Sequence, residues 1–329
     1  MEYKYGKNVS KEFIKEKLNW NTKYWIKTGQ KYAKLSTVEQ KKCYVCSGNK
    51  GKPVSSFYGI NYIMCQNCNH VYTDKRLSEE GLKKYYSESQ EYFNDSYTKK
   101  SIINLRKNLF IPKIEFIKKY VKGKNWLDVG SADGTAVVAA KSEGFQCTGI
   151  ELSKTAREFA KKHHNIKLYD KPLEAFVREN KTKWNIVSFF GVLEHISNPT
   201  NAVKISNKLL EKNGIIALEV PNYNSLSTHV QNISNMPDRH LVPFSHIMIF
   251  TLKSAKQILK NHGFEPIAVW FWGMDVIELF KHVIRKARGP SKLVLGDLPP
   301  EILNALQLVF DGAKMSDEFL IIGKKIKNL

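Results

Sequence analysis

Long apolar runs are missing from this 329-residue chain. No stretch approaches the roughly 18 consecutive apolar residues a membrane-spanning helix needs. The lysine-rich start, Met1 to Lys7, has no apolar core of the kind a secretory leader carries. The expected location is therefore cytoplasmic, with thiols reduced. Arginine is scarce too: only seven of the 52 basic residues, grouped nowhere except at Arg285 and Arg288. The net charge of +21 comes mostly from scattered lysine. That suits a solvated surface and an anionic small partner, whereas recognition of bases and phosphates recruits grouped arginine with aromatics. Nucleic acid is accordingly not favoured as a partner. Internal repeats and low-complexity linkers are also lacking.

Cysteine is the rarest chemical resource, five in all, yet four stand in one pattern. Cys43-x2-Cys46, 18 intervening residues and Cys65-x2-Cys68 have the spacing of a four-thiolate zinc ribbon. The residue after each such turn tends toward left-handed backbone, which points to Asn69 after Cys68 and to Gly48 two beyond Cys46. Disulfides or a redox pair are the competing readings. Four cysteines complete a closed tetrahedral site, so His70 is not needed as a ligand and the zinc is expected to be structural. Cys147, inside an apolar run, reads as a small core residue. His163, His164, His240 and His246 have no spacing that supports a second metal.

Asn125 to Ala140 spells strand, glycine-bearing turn and helix. Trp126, Leu127 and Val129 read as a buried strand; Gly130 and Gly134 permit close approach of backbone to a ligand; Ala136 to Ala140 begin a packed helix. Glu151 follows the next apolar run, 21 positions after Gly130, where a carboxylate can accept from both ribose hydroxyls of an adenosine group. A dinucleotide fingerprint would need glycine at Ala132 and Thr135, which weakens the nicotinamide reading.

Asp128, Gly130, Ala132 and Gly134 resemble the first motif of class I S-adenosylmethionine (SAM) methyltransferases. The likeness continues through Trp184–Ile196 as fourth strand and loop, Gly214–Asn222 as fifth strand, and Gly263–Val269 with Asp317–Gly323 as the last two. It implies an α/β fold with a Rossmann-like seven-stranded sheet, the last strand antiparallel, an N-terminal zinc ribbon and a helical lid. It also implies SAM contacts from Asp128, Gly130, Ser131, Ala132, Gly134, Glu151, Leu152, Leu173, Phe190 and Gly191. Ribbon, tyrosine stretch and Val192-Leu-Glu-His195 loop together resemble the zinc-ribbon methyltransferases of sugar and surface-polysaccharide pathways. In the sugar C-methyltransferases among them, matching residues contribute to the substrate site, which points here to Glu194, His195, Tyr85, Tyr86 and Tyr92. Those enzymes carry a further C-terminal domain, whereas this sequence ends just after its last presumed strand, so carbon is not fixed as the acceptor.

The organisation expected is an N-terminal helical arm over 1–42, the ribbon over 43–75, a helical linker or substrate lid over 76–121, and a SAM-binding domain over 122–329. The last carries a helical insertion at about 273–316, whose two apolar stripes either pack on the core, cap the pocket or make a subunit contact. Methyl transfer to an alcohol needs a base near the carboxyl end of the fourth strand, where His195 falls. His240 and His246, beyond the fifth strand, lie where this family builds its acceptor-facing lid. The expected function is methyl transfer from SAM to a small anionic acceptor, sugar-linked or nucleotide-sugar-linked. An RNA methyltransferase is the alternative, disfavoured because Phe190-Gly-Val-Leu193 lacks the Asn/Asp-Pro-Pro-Tyr/Phe signature of amine methylation. A non-enzymatic scaffold would not need Asp128, Gly130, Gly134, Glu151 and His195 together.

Overall fold

Trp126 to Val129 and Trp184 to Phe189 are nearly all buried, as strands covered on both faces must be. In the computed structural model both lie within a seven-stranded sheet. The structure describes residues 1–7, 29–88, 100–235, 239–286 and 298–329. Tyr92, singled out in the sequence, lies outside them, as does much of the expected N-terminal arm.

Along the chain come β1 (Glu2–Tyr5), β2 (Thr37–Glu39), β3 (Gly51–Phe57), β4 (Ile60–Cys65), β5 (Val71–Thr73) and β6 (Lys75–Leu77). Helices α1 (Glu79–Glu88) and α2 (Lys100–Lys118) precede β7 (Asn125–Val129), α3 (Thr135–Ser142), β8 (Gln146–Ile150), α4 (Lys154–His164), α5 (Leu173–Glu179) and β9 (Trp184–Phe190). A 3-10 turn (Leu193–His195) leads to α6 (Pro199–Leu209), β10 (Leu210–Pro221), α7 (Leu226–Ser234), β11 (Met248–Ile249), α8 (Leu252–Asn261) and β12 (Phe264–Trp272). The chain closes with α9 (Asp275–Lys286), α10 (Pro300–Gly312) and β13 (Glu318–Lys325).

The large sheet runs β1-β12-β13-β10-β9-β7-β8. The pairs β1/β12, β10/β9, β9/β7 and β7/β8 are parallel. β13 runs the other way: the Asn222 N–H, at the end of β10, donates to the Asp317 carbonyl just before β13, and the Ile326 N–H just after β13 donates to Gly263 just before β12. This mostly parallel sheet with one reversed strand is the class I methyltransferase architecture, as the motif order predicts. Two details differ from the sequence reading. The third strand of that scheme is reduced to a single parallel bridge, Ile150 with Tyr169. The seventh place is taken by Glu2–Tyr5, from a region expected to be helical.

The chain forms two compact units. The first comprises Met1–Gly81, Val220–Ala255 and Ala268–Leu320. It contains a four-stranded sheet, β11-β5-β4-β3. Phe57, Tyr62, Val71, Leu241 and Ile249 form one hydrophobic cluster in it. The Tyr62 hydroxyl donates to the His246 carbonyl at 2.9 Å, and the Thr73 N–H to Ile247 at 3.0 Å. The second unit comprises Leu82–Glu219, Lys256–Ile267 and Ile321–Leu329. Within it the Lys113 ammonium on α2 meets the Glu219 carboxylate on β10 at 2.7 Å, both buried.

Candidate active site and metal centre

In the second unit β7 ends at Val129 and the chain turns at Gly130, whose φ is +73°. A side chain there would be strained by that backbone and would press a Cβ to 2.6 Å from Val192 Cγ2. Gly130 and Ser131 N–H both donate to the Ile150 carbonyl, at 2.8 and 2.9 Å, which ties the turn to the end of β8. Gly134, at φ +80°, then starts α3. Ala132 also sits at positive φ, +46°, and its N–H donates to Glu151 Oε2 at 2.8 Å. Oε1 of the same carboxylate accepts from Ser153 N–H at 2.7 Å. Glu151 thus braces the glycine turn from the tip of β8, with lone pairs left on each oxygen.

Asp128 is buried one residue before the end of β7. Burial pushes its carboxyl up to about 7; hydrogen bonds from Ser188 and Ser131 oppose that, while Glu151 adds to it. Ser188 Oγ donates to Asp128 Oδ1 at 2.6 Å and itself accepts from the Trp126 indole at 2.7 Å. Ser188 was not singled out in the sequence, since a serine inside an apolar strand gives no sign of which neighbour it faces. Nor was Arg157, whose guanidinium donates to the Glu151 and Leu152 carbonyls at 2.9 and 2.7 Å, and Val192, quoted only as the start of its loop, gave no sign of lying against Gly130.

Leu152 is 61% exposed beside Glu151, an apolar surface left uncovered next to the turn. Leu173 is buried at the first position of α5. Phe190 ends β9, edge-on to Phe110 at 5.4 Å, and Gly191 follows at φ +65°, its N–H donating to Glu219. Glu194, buried, and His195, half-buried, share the 3-10 turn after β9. Tyr85 is buried on α1. The side chain of Tyr86, like the whole of Tyr92, lies outside the described residues.

In the first unit the four ribbon sulfurs converge. Cys43 and Cys68 Sγ are 3.5 Å apart, as are Cys46 and Cys65, and all four lie within 4.8 Å of one another. A disulfide would need about 2.05 Å, whereas a tetrahedral zinc with 2.3 Å bonds spaces its sulfurs about 3.8 Å apart. The two turns match one another: Ser47 N–H donates to Cys43 O and Asn69 N–H to Cys65 O, both at 2.9 Å. Ser47 and Asn69 both have φ +58°. Asn69 is where left-handed backbone was expected, but in the first turn it falls on Ser47 rather than Gly48. Gly48 serves close approach instead, since a Cβ there would lie 2.6 Å from the Asn67 amide. Backbone N–H groups of Val45, Cys46, Gly48 and His70 donate to the sulfurs and favour thiolates. The Cys68 contact, followed by burial, pushes the Cys43 thiol up, and the same contact holds Cys68 down at about 5. The donor set therefore fits zinc. His70 stands apart, its Nδ1 3.4 Å from Ser254 Oγ and its ring against Phe250; burial lowers it to about 3, so it is neutral. Cys147 is buried in β8 and its thiol is pushed well up, as befits a core residue.

His240 and His246 come together in the first unit. Their ring centroids are 5.8 Å apart, and His246 Nδ1 is 3.1 Å from the His240 carbonyl. His240 Nε2 lies 3.4 Å from Asp317, which Arg239 also grips while reaching Glu318 at 2.6 Å. Burial alone would push Asp317 up, but Arg239 and His240 outweigh it and hold the carboxyl below its usual range. Asp317 and Arg239 were not picked out in the sequence, because 78 residues separate them.

Among the described residues no helix is long and apolar enough to cross a membrane. Comparison with known proteins finds a family described as "Methyltransferase domain" matching residues 104–269. The ubiquinone biosynthesis O-methyltransferase of Coxiella burnetii is 24% identical over 160 residues, 46% of this chain and 66% of that protein, so the match spans less than two thirds of the relative's length. A SAM-dependent methyltransferase from Archaeoglobus fulgidus aligns over 73% of this chain and 100% of its own, with 18% identity and a TM-score of 0.48. The magnesium protoporphyrin IX methyltransferase of Synechocystis, solved with bound SAH, aligns over 75% and 95%, with 10% identity and a TM-score of 0.45. With one family spanning half of the sequence, across the glycine turn and the strands that carry it, the chain belongs to the methyltransferase-domain family.

Proposed function

We propose that the protein transfers a methyl group from SAM to a small anionic acceptor carried on a sugar or nucleotide-linked sugar. The observation that carries the SAM part is the Gly130–Gly134 turn held against the tip of β8 by Glu151. SAM, when bound, supplies a methyl carbon activated by its sulfonium. The backbone of Gly130 to Gly134 would receive the cofactor at close range, Glu151 would accept from the ribose hydroxyls, and exposed Leu152 would cover the adenine, with Leu173, Phe190 and Gly191 as further cofactor contacts. Asp128 holds the turn's geometry through Ser131 and Ser188. His195, at the carboxyl end of β9, would orient the acceptor and take its proton, and Glu194 beside it would order the loop. Tyr85, Tyr86 and Tyr92 contribute to acceptor binding, with His240 and His246 as the next candidates for base. Zinc in the four-cysteine ribbon is structural, because a closed thiolate site leaves no open position.

The sugar-linked acceptor is supported by the ribbon together with the Val192–His195 loop, and its negative charge by the excess of lysine. A second reading, O-methylation of a non-sugar acceptor, is favoured by the name of the relatives matched over the methyltransferase half. Calorimetric titration with SAM, followed by methyl-transfer assays on nucleotide-sugars, phenolic acceptors and RNA, tests the proposal. SAM binding lost in Glu151→Ala with turnover of a sugar nucleotide is the expected result. Turnover of phenols alone would transfer the assignment to the second reading, steeply salt-dependent RNA binding would move it to nucleic acid, and absence of SAM binding would overturn it.

A further inference from the structure

Helix α10 is built the wrong way round for a helix on a monomer's surface. Its inward face carries Leu303, Gln307 and Asp311, all buried. Gln307 Nε2 donates to Asp275 at 3.1 Å and to Asp311 at 2.8 Å, its Oε1 accepts from Val276 N–H at 3.0 Å, and Ser316 Oγ donates to Asp311 at 2.7 Å. Gln307 and Asp311 are thus committed to the interior. Its outward face is apolar: Ile302, Leu306 and Val309 are 46%, 41% and 67% exposed, with exposed Ala305 and Ala313 on the same side. Their spacing of three and four residues makes one stripe about 16 Å long without a charge in it. An exposed apolar strip of this kind marks a surface meant to be covered.

The charges at its ends say by what. Glu301 is exposed at the first turn of α10, and Lys314 is exposed just beyond its last. Two copies of α10 laid antiparallel about a two-fold axis would set Glu301 of each against Lys314 of the other. Leu306 would then face Val309, Ile302 would face Ala313, and the helix dipoles would oppose. A parallel arrangement would set like charges together. We propose that α10 is the seam of a homodimer, the partner being a second copy of this chain docked antiparallel on the Ile302–Ala313 stripe. The small side chains of Ala305 and Ala313 let the two helices approach closely.

Sedimentation of the full chain across micromolar concentrations tests this, and needs neither cofactor nor acceptor. The wild type is expected to run as a dimer and Val309→Glu as a monomer. Glu301→Lys should weaken the dimer at least about tenfold, and Glu301→Lys combined with Lys314→Glu should restore it. A wild type that stays monomeric, including one whose stripe takes a lipid surface or an unrelated protein instead, overturns the proposal, as does a dimer indifferent to Val309→Glu. Should Val309→Glu fail to fold by circular dichroism, the double variant Leu306→Cys/Val309→Cys decides: oxidation should link two chains covalently, and no linked species overturns the proposal.

Discussion

Single residues at the glycine turn set what this protein tolerates. Gly130→Ala would force a side chain into left-handed backbone and against Val192. A loss of about 1 to 3 kcal/mol in unfolding free energy is expected. Adding Val192→Ala should recover the steric part and leave the backbone part, which chemical denaturation of both variants would measure. Asp128 makes a different kind of prediction. Burial holds its folded pKa at about 7, above the ordinary 3.8, so the folded protein keeps a proton that the unfolded chain releases. Its contribution to stability is complete below the unfolded value and is lost as pH rises through about 7. Relative to Asp128→Asn, the wild type should therefore become less stable between about pH 4 and about pH 7; urea midpoints that stay parallel would refute the assignment. The turn itself was legible because glycine at positive φ and an acid at a fixed distance leave a pattern in one dimension. Ser188, Val192 and Arg157 leave none, since their contacts depend on which neighbour the folded backbone turns them toward.

At the scale of elements, the ribbon and the α2–β10 pairing are the parts whose removal should be measurable on their own. Cys65→Ser removes one of four sulfurs, and metal analysis should fall from one zinc per chain toward none, with loss of protection from hydrogen exchange along β3, β4, β5 and β11. Unchanged metal content would sink the ribbon assignment. Lys113→Met strands a buried Glu219 and is expected to cost about 3 to 5 kcal/mol. The double replacement Lys113→Met/Glu219→Leu should cost much less, and a thermodynamic cycle checks it. The ribbon's ligands could be read from spacing alone, yet its fourth strand could not. β11 is two residues long and lies 175 positions beyond β5, so only its pairing with Val71 and Tyr72 identifies it.

For the whole molecule, the mostly parallel sheet with its last strand reversed is what motif order predicts, because each strand's apolar run and the turn after it are local properties; the third and seventh places differ. The last partner was hidden. Glu2–Tyr5 is short, polar and lysine-bearing, and nothing in it announces that it lies parallel to Ala268–Phe271. Lys4 sits over the Trp270 ring at 3.7 Å, and the Trp270 indole donates to the Gly6 carbonyl at 3.0 Å. Deleting residues 1–7 should uncover Trp270 and shift its fluorescence to longer wavelength, at a cost of about 1 to 3 kcal/mol. That pairing also orders events in time. During synthesis the partner of Glu2–Tyr5 leaves the ribosome more than 260 residues after it. Over that interval Glu2–Tyr5 has no sheet to join, so the edge closes only after the rest of the sheet's long-range contacts are within reach.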